Sequence, residues 1–148
     1  FLDQLLIEVM SEFQLLIERE ERDIYIQVSP ESAKIKSHYD KLSRILVNLI
    51  NNAFKYSDPG TKIEIVAQLT EQILTISVKD EGRGISPENL DKIFKRLYRV
   101  ETSRNMKTGG HGLGLAIARE LAHQLGGEIT VESQYGLGST FTFTLNLT

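Results

Sequence analysis

In mid-chain the hydrophobic period switches from helical to alternating, and that switch narrows the possible folds more than any other feature. Between Tyr39 and Tyr56, residues Leu42, Ile45, Leu46, Leu49, Ile50 and Ala53 recur along one helix face, and Ser57-Asp58-Pro59-Gly60 closes the helix. From Lys62 to Leu69 and from Ile73 to Lys79 apolar residues alternate with polar ones around the short turn Thr70-Glu71-Gln72, which predicts an antiparallel hairpin. A one-faced helix joined to one-faced strands must bury both faces together, so the chain is expected to fold as α+β layers: one sheet with helices on one face.

The flanking segments fit that plan. Apolar residues at helical spacing from Phe1 to Arg22 predict one amphipathic helix, followed by a short strand over Asp23 to Val28 that Pro30 stops. Lys34 to Lys36 are expected to add a small strand. Pro87 to Tyr98 are expected to form a short helix capped by Ser86, and Arg99 to Gly110, where no period survives, are read as a mobile lid. A helix from Gly112 to Leu125 ends at Gly126-Gly127, and Glu128 to Val131 with Thr140 to Leu147 supply closing strands.

Size and composition set further bounds. The 148 residues make a single domain that can bury roughly 70% of its unfolded surface. A formal charge of −3 lacks the basic excess of a nucleic-acid binder, so no nucleic-acid partner is expected. With no cysteine there is neither a disulfide framework nor a thiolate metal site, and the three histidines lack ligand spacing. Apolar runs fall short of the ~18 residues of a membrane span. Phe1 in place of Met leads us to expect a piece of a longer protein.

Four stretches could carry chemistry. Lys107-Thr108-Gly109-Gly110-His111-Gly112-Leu113-Gly114-Leu115 puts four glycines in six positions ahead of a helix, where close backbone approach and unpaired N–H groups suit phosphate; a surface turn fits the loop chemistry as well. Asn48, Asn52 and Lys55 share one helix face, with amide oxygens suited to Mg²⁺ and a cation suited to phosphate; alone, they also read as a solvated face. Asp80-Glu81-Gly82-Arg83-Gly84-Ile85 follows a strand, and Asp80 can accept an exocyclic amine or merely cap a turn. Basic residues interleave with apolar ones from Ile93 to Arg99, a pattern for triphosphate or for plain solvation, whereas Gly136 to Phe141 reads by itself as a hairpin turn.

Together and in this order these stretches resemble the catalytic, ATP-binding domain of sensor histidine kinases, in the superfamily that also holds gyrase, the heat-shock chaperone ATPases and MutL-type repair proteins. Asn48 to Tyr56 is similar to the N box, Asp80 to Ile85 to the G1 box, Phe94 to Arg99 to the F box, Gly110 to Leu115 to the G2 box, and Gly136 to Thr140 to the G3 element. The resemblance covers essentially the whole chain. It implies a two-layer α/β sandwich of the Bergerat type, with a mixed, mostly antiparallel sheet. It implies that Asp80 accepts the adenine amine, with Gly82, Gly84 and Ile85 around the base, and that Asn52 ligates Mg²⁺ with Asn48 beside the phosphates. Lys55 and Tyr56 would border the nucleotide, and Gly110, His111, Gly112, Leu113 and Gly114 would hold the phosphates, His111 standing where Thr or Ser is frequent. Thr140 is the G3 candidate, and Asn48, Lys55, Arg96 and Arg99 are the candidates for catalysis.

The resemblance also implies cofactors and partners: ATP and Mg²⁺, a histidine-bearing dimerisation domain outside this chain, and a response regulator. His38, His111 and His123 lack the context of the family's phosphoacceptor. Superfamily ATPases and anti-sigma serine kinases carry Glu where this chain has Asn48, and an amide cannot act as a base, which disfavours the alternatives of a stand-alone ATPase or serine kinase. A non-catalytic nucleotide-binding scaffold is the other alternative. The expected setting is a monomeric cytoplasmic domain of a homodimeric parent anchored in the bacterial plasma membrane.

Overall fold

The computed structural model describes residues 1–31, 33–82 and 114–148. In chain order these form α1 (Leu2–Ser11), α2 (Gln14–Glu20), β1 (Asp23–Ser29), α3 (Tyr39–Lys55), β2 (Lys62–Thr70), β3 (Ile73–Asp80), α4 (Gly114–Leu125), β4 (Glu128–Gln134) and β5 (Gly138–Asn146). The strands make one sheet in the order β1-β2-β3-β5-β4, with β1 parallel to β2 and the remaining pairs antiparallel. The α+β reading holds, and so does the mixed, mostly antiparallel sheet.

Register explains the core. Ile65, Val78, Phe141 and Val131 lie in one cross-strand row, and Ala67, Ile76, Phe143 and Ile129 in the next. Because strand side chains alternate between faces, these rows share one face, which is buried. Leu42, Ile45, Leu46, Leu49, Ile50 and Ala53 of α3 are all at most 3% exposed and form a single core cluster with that face. At about 25 cal/mol per Å² of buried apolar surface, such facing rows supply the main drive for the layer to close. The opposite sheet face carries Glu64, Thr75, Ser77, Lys79, Thr142 and Thr144, none of them buried.

Three sequence expectations are corrected. The predicted helix over Phe1 to Arg22 is two helices: α1 ends at Ser11, and Phe13, at φ −106° and ψ 4°, leaves the helical path; 6% exposed, it stacks on Phe54 with ring centroids 5.3 Å apart. The apolar period runs through this break, so spacing alone does not reveal it. Lys34 to Lys36 form no strand, since the preceding Ala33 turns back onto the Pro30 carbonyl and accepts the Leu2 amide at the start of α1. The last two strands are longer than expected, meeting at a turn through Tyr135, Gly136 and Leu137 in which Gly136 has φ +90°. The hairpin between β2 and β3 turns on Glu71 and Gln72, both at positive φ, which matches the twist of the flanking strands.

Candidate functional site

The site is assembled where α3, the end of β3 and the start of α4 meet. Asp80 ends β3 in the cross-strand row Ile63, Asp80, Ser139, which has the same parity as Val78 and Ile76. Alternation therefore carries its carboxylate under the helices, and it is 2% exposed. A carboxylate that deep needs hydrogen-bond donors. Its Oδ1 accepts the Gly82 amide at 2.9 Å, and the neighbouring Glu81 accepts the Lys62 amide at 3.2 Å, so the turn after β3 is fixed at both carboxylates.

Gly82 is required there by sterics. A Cβ on it would run into the Tyr56 carbonyl oxygen and would lie 2.7 Å from Asp80 Oδ1. The turn after β3 is thus in direct contact with the end of α3. Gly138, at φ +133°, lies similarly against the Asp80 carbonyl, which brings the start of β5 to the same corner.

On α3, Asn48, Asn52 and Lys55 follow one another along the helix beside its buried stripe. Asn52 is 8% exposed, Asn48 and Lys55 are half-buried, and the Lys55 ammonium lies 5.4 Å from the Tyr56 ring centroid. Helix α4 begins beside them: a Cβ on Gly114 would stand 3.6 Å from Asn48 Oδ1. The first described turn of α4 is thereby set next to the Asn48 amide.

Asn48, Asn52, Lys55, Tyr56, Asp80, Gly82 and Gly114 are therefore brought together. Thr140 is not. It pairs with Lys79, one position past the Asp80 row, and alternation puts it on the outer sheet face. Ser139 stands opposite Asp80 instead, is 7% exposed, and has its hydroxyl 3.0 Å from that of Ser133. The strand parity of Phe141 and Phe143 could have identified Ser139 from sequence. Gly84, Ile85, Arg96, Arg99, Gly110, His111, Gly112 and Leu113 lie outside the described residues.

Among the described residues no group of three His, Cys, Asp or Glu could hold a metal ion. Asn48 and Asn52 offer neutral oxygen donors, which fit Mg²⁺ arriving with phosphate and water ligands of its own. Among the same residues no helix is long and apolar enough to cross a membrane.

Comparison with known proteins agrees with this geometry. Residues 37–148 match the family described as histidine kinase-, DNA gyrase B- and HSP90-like ATPase. The histidine protein kinase SaeS of Staphylococcus epidermidis is 42% identical over 146 residues, 97% of this chain, so the chain spans about 42% of the length of that relative. The catalytic domain of histidine kinase ThkA, in a nucleotide-free form, superposes with a TM-score of 0.86 at 26% identity, covering 99% of this chain and 94% of that one. ThkA in complex with the response regulator TrrA gives 0.82 at 25% identity, covering 99% and 40%. Full-length ShkA in complex with AMPPNP gives 0.84 at 27%, covering 99% and 30%. The resemblance read from the five sequence stretches is borne out: this chain belongs to the histidine kinase-, DNA gyrase B- and HSP90-like ATPase family.

Proposed function

We propose that this chain binds Mg-ATP and donates its γ-phosphoryl group to a histidine on a separate dimerisation domain, for relay to an aspartate of a response regulator. The observation that carries the reading is the pairing of a buried carboxylate with a half-open amide face: Asp80, 2% exposed, at one end, and Asn52, 8% exposed, on the helix whose Asn48 adjoins Gly114 at the start of α4. A fixed acceptor at the sheet end suits the adenine amine, and the α4 terminus suits phosphate. The similarity to SaeS, to ThkA with its response regulator and to ShkA with an ATP analogue supports the same assignment.

In this reading Asp80 reads the base, with the hydroxyl of Ser139 opposite it as a further polar group in the same row. Asn52 and Asn48 hold the metal, which when bound neutralises phosphate charge. Lys55 adds a cation beside the nucleotide, and Tyr56 borders it. Phosphoryl transfer asks mainly for positioning and charge neutralisation, so no covalent intermediate on this chain is required. Asn48 cannot accept a proton, whereas the imidazole of an acceptor histidine is nucleophilic without a base. Arg96, Arg99, Gly84, Ile85, Gly110, His111, Gly112 and Leu113 keep the roles that the family resemblance assigns them.

Mixing the chain with a separately made dimerisation hairpin and γ-labelled ATP tests the proposal. Label on the hairpin histidine is the expected result. Its absence, where ATP binding is demonstrated, refutes transfer, and steady ATP turnover without the hairpin would favour a stand-alone ATPase instead.

A further inference from the structure

We propose that Arg22 is a positioning residue for the nucleotide site, fixing the segment that carries Lys55 and Tyr56 against the turn after β3. This rests on the ATP-binding reading above. Arg22 lies between α2 and β1, before the segment that matches the family, and its side chain is 1% exposed. A buried guanidinium is costly unless its donors are used. Here all five are. Nε donates to Glu20 Oε1 at 2.8 Å, one terminal nitrogen to Ser57 Oγ at 2.6 Å and Thr61 Oγ1 at 3.0 Å, and the other to the Phe54 carbonyl at 3.0 Å and the Ser57 carbonyl at 2.9 Å. The guanidinium carbon also stands 5.0 Å from the centroid of the Phe54 ring, which Phe13 stacks upon.

The placement of these partners gives the network its role. The last carbonyls of a helix lack intrahelical partners, and a cation there complements the helix dipole. Arg22 grips one carbonyl on each side of Lys55 and Tyr56, the two residues that border the proposed nucleotide. The Tyr56 carbonyl in turn abuts Gly82, whose amide holds Asp80. The Ser57 hydroxyl donates to the Ala53 carbonyl at 2.6 Å, and the Gly60 amide to the Glu20 carbonyl at 2.9 Å, closing the loop after α3 onto the same junction. Arg22 touches neither Lys55 nor Asp80 among its five partners. It acts through the backbone path of residues 54–57, and that path sets where Tyr56 meets the turn after β3.

The test compares Arg22→Lys, which keeps the charge but cannot reproduce the fork, and Ser57→Ala, which removes one acceptor, with Leu145→Ala. Leu145 is a core residue at the opposite end of β5 from the Asp80 row, 2% exposed, and loses stability without touching the site. Affinity for a non-hydrolysable ATP analogue is measured at a temperature where circular dichroism shows each protein folded. Arg22→Lys is expected to bind about tenfold more weakly, one decade in the dissociation constant, and Ser57→Ala more weakly by a smaller factor. Leu145→Ala is expected to bind as the parent does. Amide exchange at Tyr56 and Gly82 in the ligand-free protein is expected to quicken in both site variants. Unchanged affinity with unchanged exchange in Arg22→Lys and Ser57→Ala overturns the proposal, and Ser57→Ala carries both readouts alone if Arg22→Lys does not fold. A parent protein that binds no analogue overturns the ATP reading instead, and the exchange rates then decide the role of Arg22.

Discussion

A single methyl group added at Gly82 tests whether the corner between α3 and β3 is as tight as its geometry indicates. In Gly82→Ala the new Cβ collides with the Tyr56 carbonyl oxygen, stands 2.9 Å from the carbonyl carbon and 2.7 Å from Asp80 Oδ1. Two of these obstacles are backbone at the end of a packed helix, so the turn must move. Overpacking of this kind costs about 1–3 kcal/mol. Moving the turn also stretches the Gly82 hydrogen bond to a charged acceptor, worth about 1.5–3 kcal/mol. The two costs are alternatives as much as additions, so a stability loss of about 2 kcal/mol is expected. If the same displacement shifts Asp80, nucleotide binding weakens about tenfold or more, since 1.4 kcal/mol is one decade. Equilibrium titration with a fluorescent ATP analogue, run beside thermal unfolding, measures both. Gly136→Ala is the control: φ is +90° and no atom lies within 4 Å of the added carbon, so it pays backbone strain and keeps its affinity. Gly82→Ala protein that binds within twofold of the parent would refute the reasoning.

Other outcomes follow from the same geometry. Asp80→Asn exchanges an acceptor oxygen for an amide donor in a buried position, so affinity for the ATP analogue is expected to fall by at least about tenfold with little change in folding, measured by the same titration. Phe143→Ala removes a fully buried ring from β5, beside the central strand, and is expected to cost about 3–5 kcal/mol in urea unfolding. The Glu128 carboxyl is held below the usual carboxylate range: partial burial pushes it up, but the Ile129 amide at 2.9 Å, His123 at 2.9 Å and Arg119 at 3.5 Å outweigh that. A lowered folded value means stabilisation present above the unfolded value and lost as acid titrates the group in the fold. With side chains about half exposed, that stabilisation is screened to about 0–1 kcal/mol. Glu128→Gln is therefore expected to unfold slightly more easily at pH 7 and to match the parent in acid, as followed by urea titration at the two pH values.

Most of the fold was legible because its elements are one-faced. The period of α3 and the alternation of β2 and β3 each name their buried residues, and the structure buries the same ones. What escaped was decided by contacts distant in sequence. Nothing in the spacing around Glu12 marks the break between α1 and α2, because the ring of Phe13 finds its partner, Phe54, on another helix. Ala33 spends its carbonyl on the Leu2 amide, a partner at the far end of the first helices, so the short strand after it never forms. Within the site, residue types pointed to Asn52 and Asp80, whereas the G3 resemblance named Thr140, and strand parity places its neighbour Ser139 in the Asp80 row. Arg22 carried no sequence signal at all, since a lone arginine after a helix looks like any solvated cation until its five acceptors are seen.

The parallel pairing of β1 with β2 has a consequence for the order in which the molecule comes together. Hairpins such as β2–β3 and β4–β5 join neighbours in sequence and close short loops, whereas β1 reaches β2 only across α3, and β3 reaches β5 across a still longer stretch, with Asp80 paired to Ser139. Non-local closures are entropically expensive and form late. The helix bearing Asn48 and Asn52 is the crossover inside the first of these closures, and Asp80 takes part in the second. Both halves of the site, the amide face and the Asp80 corner, thus wait on a non-local closure. Ligand-binding competence should therefore mature at the close of folding, lagging behind the appearance of β structure.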